Sequence, residues 1–208
     1  MGSLVLTVGT GSTWAMRAAL VLTMSGLEWQ EQVFDLEDAK ALQRLKRVSP
    51  TGLVPWLDDG ELRIHDSLAI AEYLHELCPE RQLYPQDRAE RALARSLCAE
   101  LHSGFGQIRS RLPFFLGAPT QCEPPVETIG ELARLQTLWA QARGTFYFEE
   151  AGIIDAFYAV MAYRLASYGI QLPGQAGAYQ QALLAWPLWQ AQLVKARLQW
   201  PVLARQPG

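Results

Sequence analysis

The hydroxyl cluster Thr10-Gly11-Ser12-Thr13 stands between two stretches of different character. A β-branched run, Leu4 to Val8, precedes it, and residues that favour a helix follow from Trp14 to Ser25. A hydroxyl at such a strand-to-helix junction lies beside unpaired backbone N–H groups and the positive end of a helix dipole. That environment favours an anion, and a thiolate qualifies. Serine is also a preferred helix cap, so Ser12 reads equally as a structural residue.

Two further stretches carry chemistry. In Ser49-Pro-Thr-Gly-Leu-Val-Pro-Trp56 a proline opens a strand, although it cannot donate a ladder hydrogen bond. A cis Val54–Pro55 bond would turn the N–H and C=O of Val54 outward, where an extended peptide could pair with them. An edge strand that tolerates proline is the plainer account. In Ile64-His-Asp-Ser-Leu-Ala-Ile70, Asp66 and Ser67 stand where a strand gives way to a helix. A carboxylate and a hydroxyl there can hold a ligand bearing both an ammonium and a carboxylate. Asp66 would take the cation, and Ser67 with the helix N-terminus the anion. Capping alone would also put both residues there.

The surrounding pattern predicts β-α-β-α-β-β-α over residues 1–78. Strands are expected at 4–8 and 27–35, and a hairpin over 53–57 and 62–64 about Asp59-Gly60. Helices are expected at 14–25, stopped by Gly26, at 36–48 and at 67–77. A helix joins the first two strands, which makes them parallel with a right-handed crossover. Residues 79–86, with Pro79 and Pro85, read as a linker. Beyond it strand signals stop, and residues 87–208 read as helices at 87–111, 126–143, 154–168 and 178–198. The breaks are Pro113 to Pro125, Gly144 and Gly169 to Gly177, and Pro187 breaks or starts the last helix. The expected fold class is α/β plus all-α.

Composition narrows the function classes. The chain has 208 residues, 50% hydrophobic and 19% charged, which excludes a disordered chain or a coiled coil. Residues 1–80 hold 6 Lys/Arg against 12 Asp/Glu, net −6; residues 81–208 hold 12 against 9, net +3. The overall net charge of −3 argues against a nucleic-acid partner. Apolar runs are interrupted, as at Arg164, so no membrane span is expected. No basic segment precedes the first apolar run, so no signal peptide is expected either. Cys78, Cys98 and Cys122 are odd in number, widely spaced and without a C-x-x-C pair. That argues against a disulfide scaffold, a metal site or a thioredoxin-type redox pair, and for a cytoplasmic, reducing compartment.

The order of the three stretches resembles the glutathione S-transferase superfamily. The shared features are a hydroxyl after the first strand, S-P-x-G-x-V-P before the third, and an acidic residue followed by Ser-x-Ala-Ile at the last helix. The stretch from His65-Asp66-Ser67 to Leu74 looks like zeta-class and related bacterial members, and Ser12-Thr-Trp-Ala-Met-Arg17 resembles their Ser-rich segment ending in Arg. The helical half agrees at Arg95 to Phe105 and at Ile154-Asp-Ala-Phe-Tyr-Ala159.

The resemblance implies a thioredoxin-like glutathione-binding domain and a helical domain. Ser12 would donate its hydroxyl to the glutathione sulfur, with Thr13 and Thr10 as alternatives. Val54, held by cis-Pro55, would pair with the cysteinyl unit, and Asp66 and Ser67 would hold the γ-glutamyl end. Leu53 stands where many relatives carry Lys or Gln, so one polar contact would be lost. The electrophile would meet Trp14, His102, Phe105 and Arg109, and Asp155 would anchor its helix. The implied activity is a serine-type glutathione transferase of the detoxification kind, with glutathione as co-substrate. A zeta-type isomerase or a non-catalytic binding protein are the alternatives. No cysteine stands near position 12, which argues against thiol-disulfide exchange. A homodimer is implied, with the basic face Arg88, Arg91 and Arg95 near the acidic half of the partner.

The proposed chemistry is physically sufficient. A free thiol titrates near 8.5, so only a few per cent is thiolate at pH 7. A hydroxyl donating to an anion contributes about 1.5–3 kcal/mol, and each pKa unit corresponds to about 1.4 kcal/mol. One hydroxyl at a helix N-terminus therefore lowers a thiol by one to two units, and no general base is needed.

Overall fold

The computed structural model describes residues 3–200, in two compact units that divide between Leu83 and Tyr84. In the first unit the order is β1 (Leu4–Gly9), α1 (Thr13–Ser25), β2 (Trp29–Phe34), α2 (Ala39–Val48), β3 (Trp56–Asp59), β4 (Leu62–His65) and α3 (Ser67–Leu77). The sheet order is β2-β1-β3-β4. β1 and β2 are parallel, with Gly9 opposite Phe34. β3 is antiparallel to both β1 and β4. The expected topology is thus present, and the fold is a thioredoxin-like domain followed by a helical one.

Local chemistry sets these boundaries. Gly26 closes α1 in the left-handed region, at φ 69°, and donates to the carbonyl of Thr23. The hairpin loop lies one residue later than the Asp59-Gly60 signal, because Asp59 still pairs with Leu62 and Gly60 takes the first loop position at φ 60°. Successive residues of β3 face opposite sides. Trp56 packs with Phe34 and with Leu45 of α2, while Leu57 is fully buried on the side of α1 and α3. Within the segment read as a linker, Pro79–Arg81 form a 3-10 turn, and Leu83 and Tyr84 are buried.

The regular elements of the second unit are helices, with irregular segments between them and no strand among its described residues: α4 (Arg88–Ser103), α5 (Gly106–Arg111), α6 (Ile129–Trp139), α7 (Ile153–Ser167), α8 (Gly174–Ala185) and α9 (Pro187–Gln199). α7 is apolar nearly all round and forms the core, as such a helix must. Around it, Trp139 stacks edge-on against Tyr158 and Tyr179. Asp155 is fully buried and anchors α7. It accepts from Gly152 N–H (2.8 Å), Tyr147 N–H (3.0 Å) and Tyr179 OH (2.7 Å).

Two helix readings need correction, and the basic face of α4 has partners of its own. The helix read over 87–111 breaks at Gly104–Phe105, where Phe105 takes φ 55° and opens α5. Carboxylate oxygens of Glu131 accept from the N–H groups of Gln107 and Ile108 and satisfy that new helix start. The helix read from 178 begins at Gly174 and ends at Ala185; Pro187 starts a separate one. The basic face of α4 is partly committed within its own unit. Arg91 donates to the carbonyls of Pro85 and Gln86, and Arg95 lies over the Tyr84 ring at 5.0 Å.

Candidate active site

The register of the sheet brings the three chemical stretches to one end of the first unit. Thr7 is opposite Trp56, and Trp56 is opposite His65. The exit of β1 into Thr10–Ser12, the entry of β3 from Val54–Pro55 and the exit of β4 into Asp66–Ser67 therefore lie side by side. Neighbouring strands are about 4.8 Å apart, so the three span about 10 Å, the reach of an extended tripeptide.

Ser12 is the N-cap of α1, and its Oγ accepts from the N–H of Ala15 at 3.2 Å. Capping and thiol binding are compatible. The cap uses one lone pair, and a hydroxyl keeps its proton to donate elsewhere. Thr10 is different. Its hydroxyl donates to Asp35 (3.2 Å) and accepts from the N–H of Leu36 (2.8 Å), so it ties β1 to the end of β2 and has no proton left for a sulfur. The Thr10 hydroxyl is thus engaged between the ends of two strands, whereas that of Ser12 is a helix cap. Asp35 was missed in the sequence, although the parallel pairing of Gly9 with Phe34 puts it beside residue 10. Thr13 is the first residue of α1, and its carbonyl accepts from Arg17 Nη1 at 3.1 Å.

The Val54–Pro55 bond is cis. Among the described residues, neither the N–H nor the C=O of Val54 has a hydrogen-bond partner. Leu53 is otherwise placed. Its N–H donates to Thr51 Oγ1 and its carbonyl accepts from Ser49 Oγ at 2.7 Å. Its side chain is 69% exposed, so Leu53 offers a ligand only apolar surface.

Asp66 caps α3, its Oδ1 accepting from Leu68 N–H (2.8 Å) and Ala69 N–H (3.2 Å). It does so at φ 78°, a conformation uncommon for a side-chain-bearing residue and held only where the surroundings impose it. Ser67, at the first position of α3, is 1% exposed, and its Oγ finds no partner among the described residues. A buried hydroxyl without a partner beside helix N–H groups is suited to an incoming carboxylate.

Of the residues expected to meet the electrophile, Trp14 belongs to the first unit, where its ring lies 4.4 Å from the guanidinium carbon of Arg17. The other three gather at the α4–α5 break of the second unit. His102 is in the last turn of α4, Phe105 is buried, and Arg109 donates to the carbonyls of Gly104 (2.6 Å) and Leu101. Arg109 is thus a brace for the break. Among the described residues no three His, Cys, Asp or Glu side chains are grouped as metal ligands, and no helix is long and apolar enough to cross a membrane.

Comparison with known proteins agrees with this geometry. Residues 11–77 match the family model described as glutathione S-transferase, N-terminal domain. A probable maleylacetoacetate isomerase of Caenorhabditis elegans is 37% identical over 99 residues, 47% of this chain and 45% of that protein. Glutathione S-transferase 1 of Dianthus caryophyllus is 40% identical over 83 residues, 39% of this chain and 38% of that protein. The chain thus spans less than half the length of these relatives. A solved glutathione transferase homolog from Burkholderia gl BGR1, with bound glutathione, superposes with a TM-score of 0.72 at 27% identity. The match covers 94% of this chain and 98% of that one.

Proposed function

We propose that the chain is a member of the glutathione S-transferase superfamily and that it transfers the glutathione thiolate to a small hydrophobic electrophile, a reading supported by the match of residues 11–77 and by the similarity to a glutathione-bound homolog. The observation that carries this reading is the convergence of Ser12, Val54 and Ser67 at one sheet end, each with hydrogen-bonding capacity left for a ligand. Ser12 donates to the sulfur, the Val54 backbone pairs with the cysteinyl unit, and Ser67 takes the γ-glutamyl carboxylate. The ammonium falls to Asp66, whose carboxylate lies in the same turn.

The mechanism needs only the thiolate. The helix start and the Ser12 hydroxyl favour the ionised sulfur, which attacks the electrophilic carbon while the leaving group departs with its electron pair. The thiol proton goes to solvent. Conjugation of a generic aryl halide tests this with wild type and Ser12→Ala. Loss of one hydroxyl to an anion, about 1.5–3 kcal/mol, predicts a fall of about ten- to a hundredfold at neutral pH. Equal rates in the two proteins would remove Ser12 from its role, and retention on immobilised glutathione without turnover would favour a binding protein.

A second reading is a glutathione-dependent isomerase, favoured by the similarity to proteins named maleylacetoacetate isomerase. There the thiolate adds to the substrate, rotation follows, and the same thiolate leaves. Ser12 serves both readings, so glutathione consumption separates them: conjugation consumes it stoichiometrically and isomerisation does not.

A further inference from the structure

Arg17 is 1% exposed, one of the largest fully buried side chains of the chain. Burying a guanidinium is costly unless it is well used, and the proposed reaction as described above does not use it. Two of its contacts fall on the two residues that follow Ser12. Nη1 donates to the Thr13 carbonyl at 3.1 Å, and the guanidinium carbon sits 4.4 Å from the centre of the Trp14 ring. Five residues of helix give about 7.5 Å of rise between positions 12 and 17. Helical side chains lean toward the N-terminus, and the bond to Thr13 shows that this one does. Its fixed positive charge therefore lies beside the first turn of α1, in surroundings that screen it poorly.

We propose that Arg17 is the positioning residue of the thiol-binding turn: its buried guanidinium holds the Thr13 carbonyl and the Trp14 ring in place and keeps a positive charge behind the sulfur at Ser12. This rests on the reading of Ser12 as the thiol-holding hydroxyl. The carbonyl bond holds the Thr13–Trp14 peptide, in the first turn of the helix that Ser12 caps. The ring contact fixes the indole that would flank the sulfur. The charge acts only when the sulfur is ionised, so it favours the thiolate over the thiol. Lysine could supply the charge, but not the planar stacking and the directed N–H together.

Other charged groups lie near this helix, among them Arg81, whose guanidinium lies against Gly26 at its far end. α1 packs against α3, whose half-buried titratable side chains are Glu72, Tyr73 and His75, and Tyr73 donates to Asp59 at 2.6 Å. At the same sheet end stand Asp35 and Asp66. His75→Gln therefore serves as a control for charge reaching the sulfur from α3.

The test is a pH titration of enzyme-bound glutathione by the ultraviolet absorbance of the thiolate. It is run beside kcat and KM for the aryl halide reaction, with wild type, Arg17→Met, Arg17→Lys and His75→Gln. Arg17→Met should raise the bound thiol pKa by about one unit, tenfold less thiolate at neutral pH. It should lower kcat in proportion and leave the KM for glutathione within about threefold. Arg17→Lys should recover part of the shift, and His75→Gln should leave it in place. An unchanged pKa in Arg17→Met, with only a lower melting temperature, would overturn the proposal, as would an equal shift in His75→Gln. If Arg17→Met does not fold, Arg17→Lys decides: an upward shift supports the proposal and none overturns it. Absence of any bound thiolate in wild type overturns the reading of Ser12 along with it, whereas a wild-type thiolate indifferent to Arg17 overturns this inference alone.

Discussion

Ser67 is a poor choice for a buried position by the measure of folding alone. Its hydroxyl is enclosed without a partner, and an unmade buried hydrogen bond costs about 1–3 kcal/mol. Ser67→Ala removes that cost, so the melting temperature should stay or rise. The same change removes a donor for the γ-glutamyl carboxylate, and glutathione affinity should fall by about tenfold. Calorimetric titration beside thermal unfolding reads both, and a loss of stability without loss of affinity would reduce Ser67 to a structural cap. Its position was legible in the sequence because Asp66-Ser67 sits at a strand-to-helix junction. The missing partner was not, since only the fold decides which hydroxyls are enclosed. Thr10 makes the converse point: three hydroxyls in four residues look alike in sequence, and the Asp35 carboxylate separates them.

At the scale of elements, capping and turn chemistry were the reliable signals. Gly26 and Pro79 ended helices or followed their ends, and Ser67–Leu77 is a helix over the residues expected. Two helix boundaries fell elsewhere than the periodic pattern placed them. The run 87–111 is rich in helix formers, but Ser103-Gly104-Phe105-Gly106 is a local breaker that the helical pattern around it masked; Glu131, more than twenty residues away, supplies the capping carboxylate for α5. The start of α8 is rich in Gly and Pro and reads as a loop. There the buried Gln180 holds the preceding segment, accepting from the Leu172 N–H and donating to the Ile170 carbonyl. Gly177 lets that segment approach, since a Cβ on it would run into the carbonyl oxygen of Leu172. Gly177→Ala trades better helix propensity, worth under about 1 kcal/mol, against a backbone clash of about 1–3 kcal/mol. The expected net result is destabilisation, read as a lower denaturant midpoint; a gain would mean that α8 shifts freely.

For the molecule as a whole, the charge split was legible before any fold was known, since it coincides with the division near residue 83. The use of the arginines was not, because a helical face seen in sequence does not reveal that Arg91 and Arg95 are held by Pro85, Gln86 and Tyr84. Association into a homodimer remains a proposal, and light scattering after size exclusion should give twice the monomer mass. Global stability carries a second signature, in acid. Burial outweighs three hydrogen bonds at Asp155 and holds its carboxyl up at about 6. Unfolded, it would titrate near 3.9. Between those values the native state keeps a proton that the unfolded chain has lost. The contribution of Asp155 is therefore fully present below about pH 4 and declines as pH rises through 6, by about 3 kcal/mol. Glu100 acts oppositely: its hydrogen bonds with Arg134 hold its carboxyl below the usual range, so its contribution is lost as pH falls. Asp155→Asn separates the two, because it removes one titration and leaves the other. Asparagine would also set its amide against the donors that now point at the carboxylate, so the variant is less stable at every pH. The gap from wild type should be wider at about pH 4.5 than at about pH 7.5. A gap that instead widens toward neutral pH would mean that the N–H groups of Gly152 and Tyr147 and the Tyr179 hydroxyl hold the ionised form more strongly than burial opposes it.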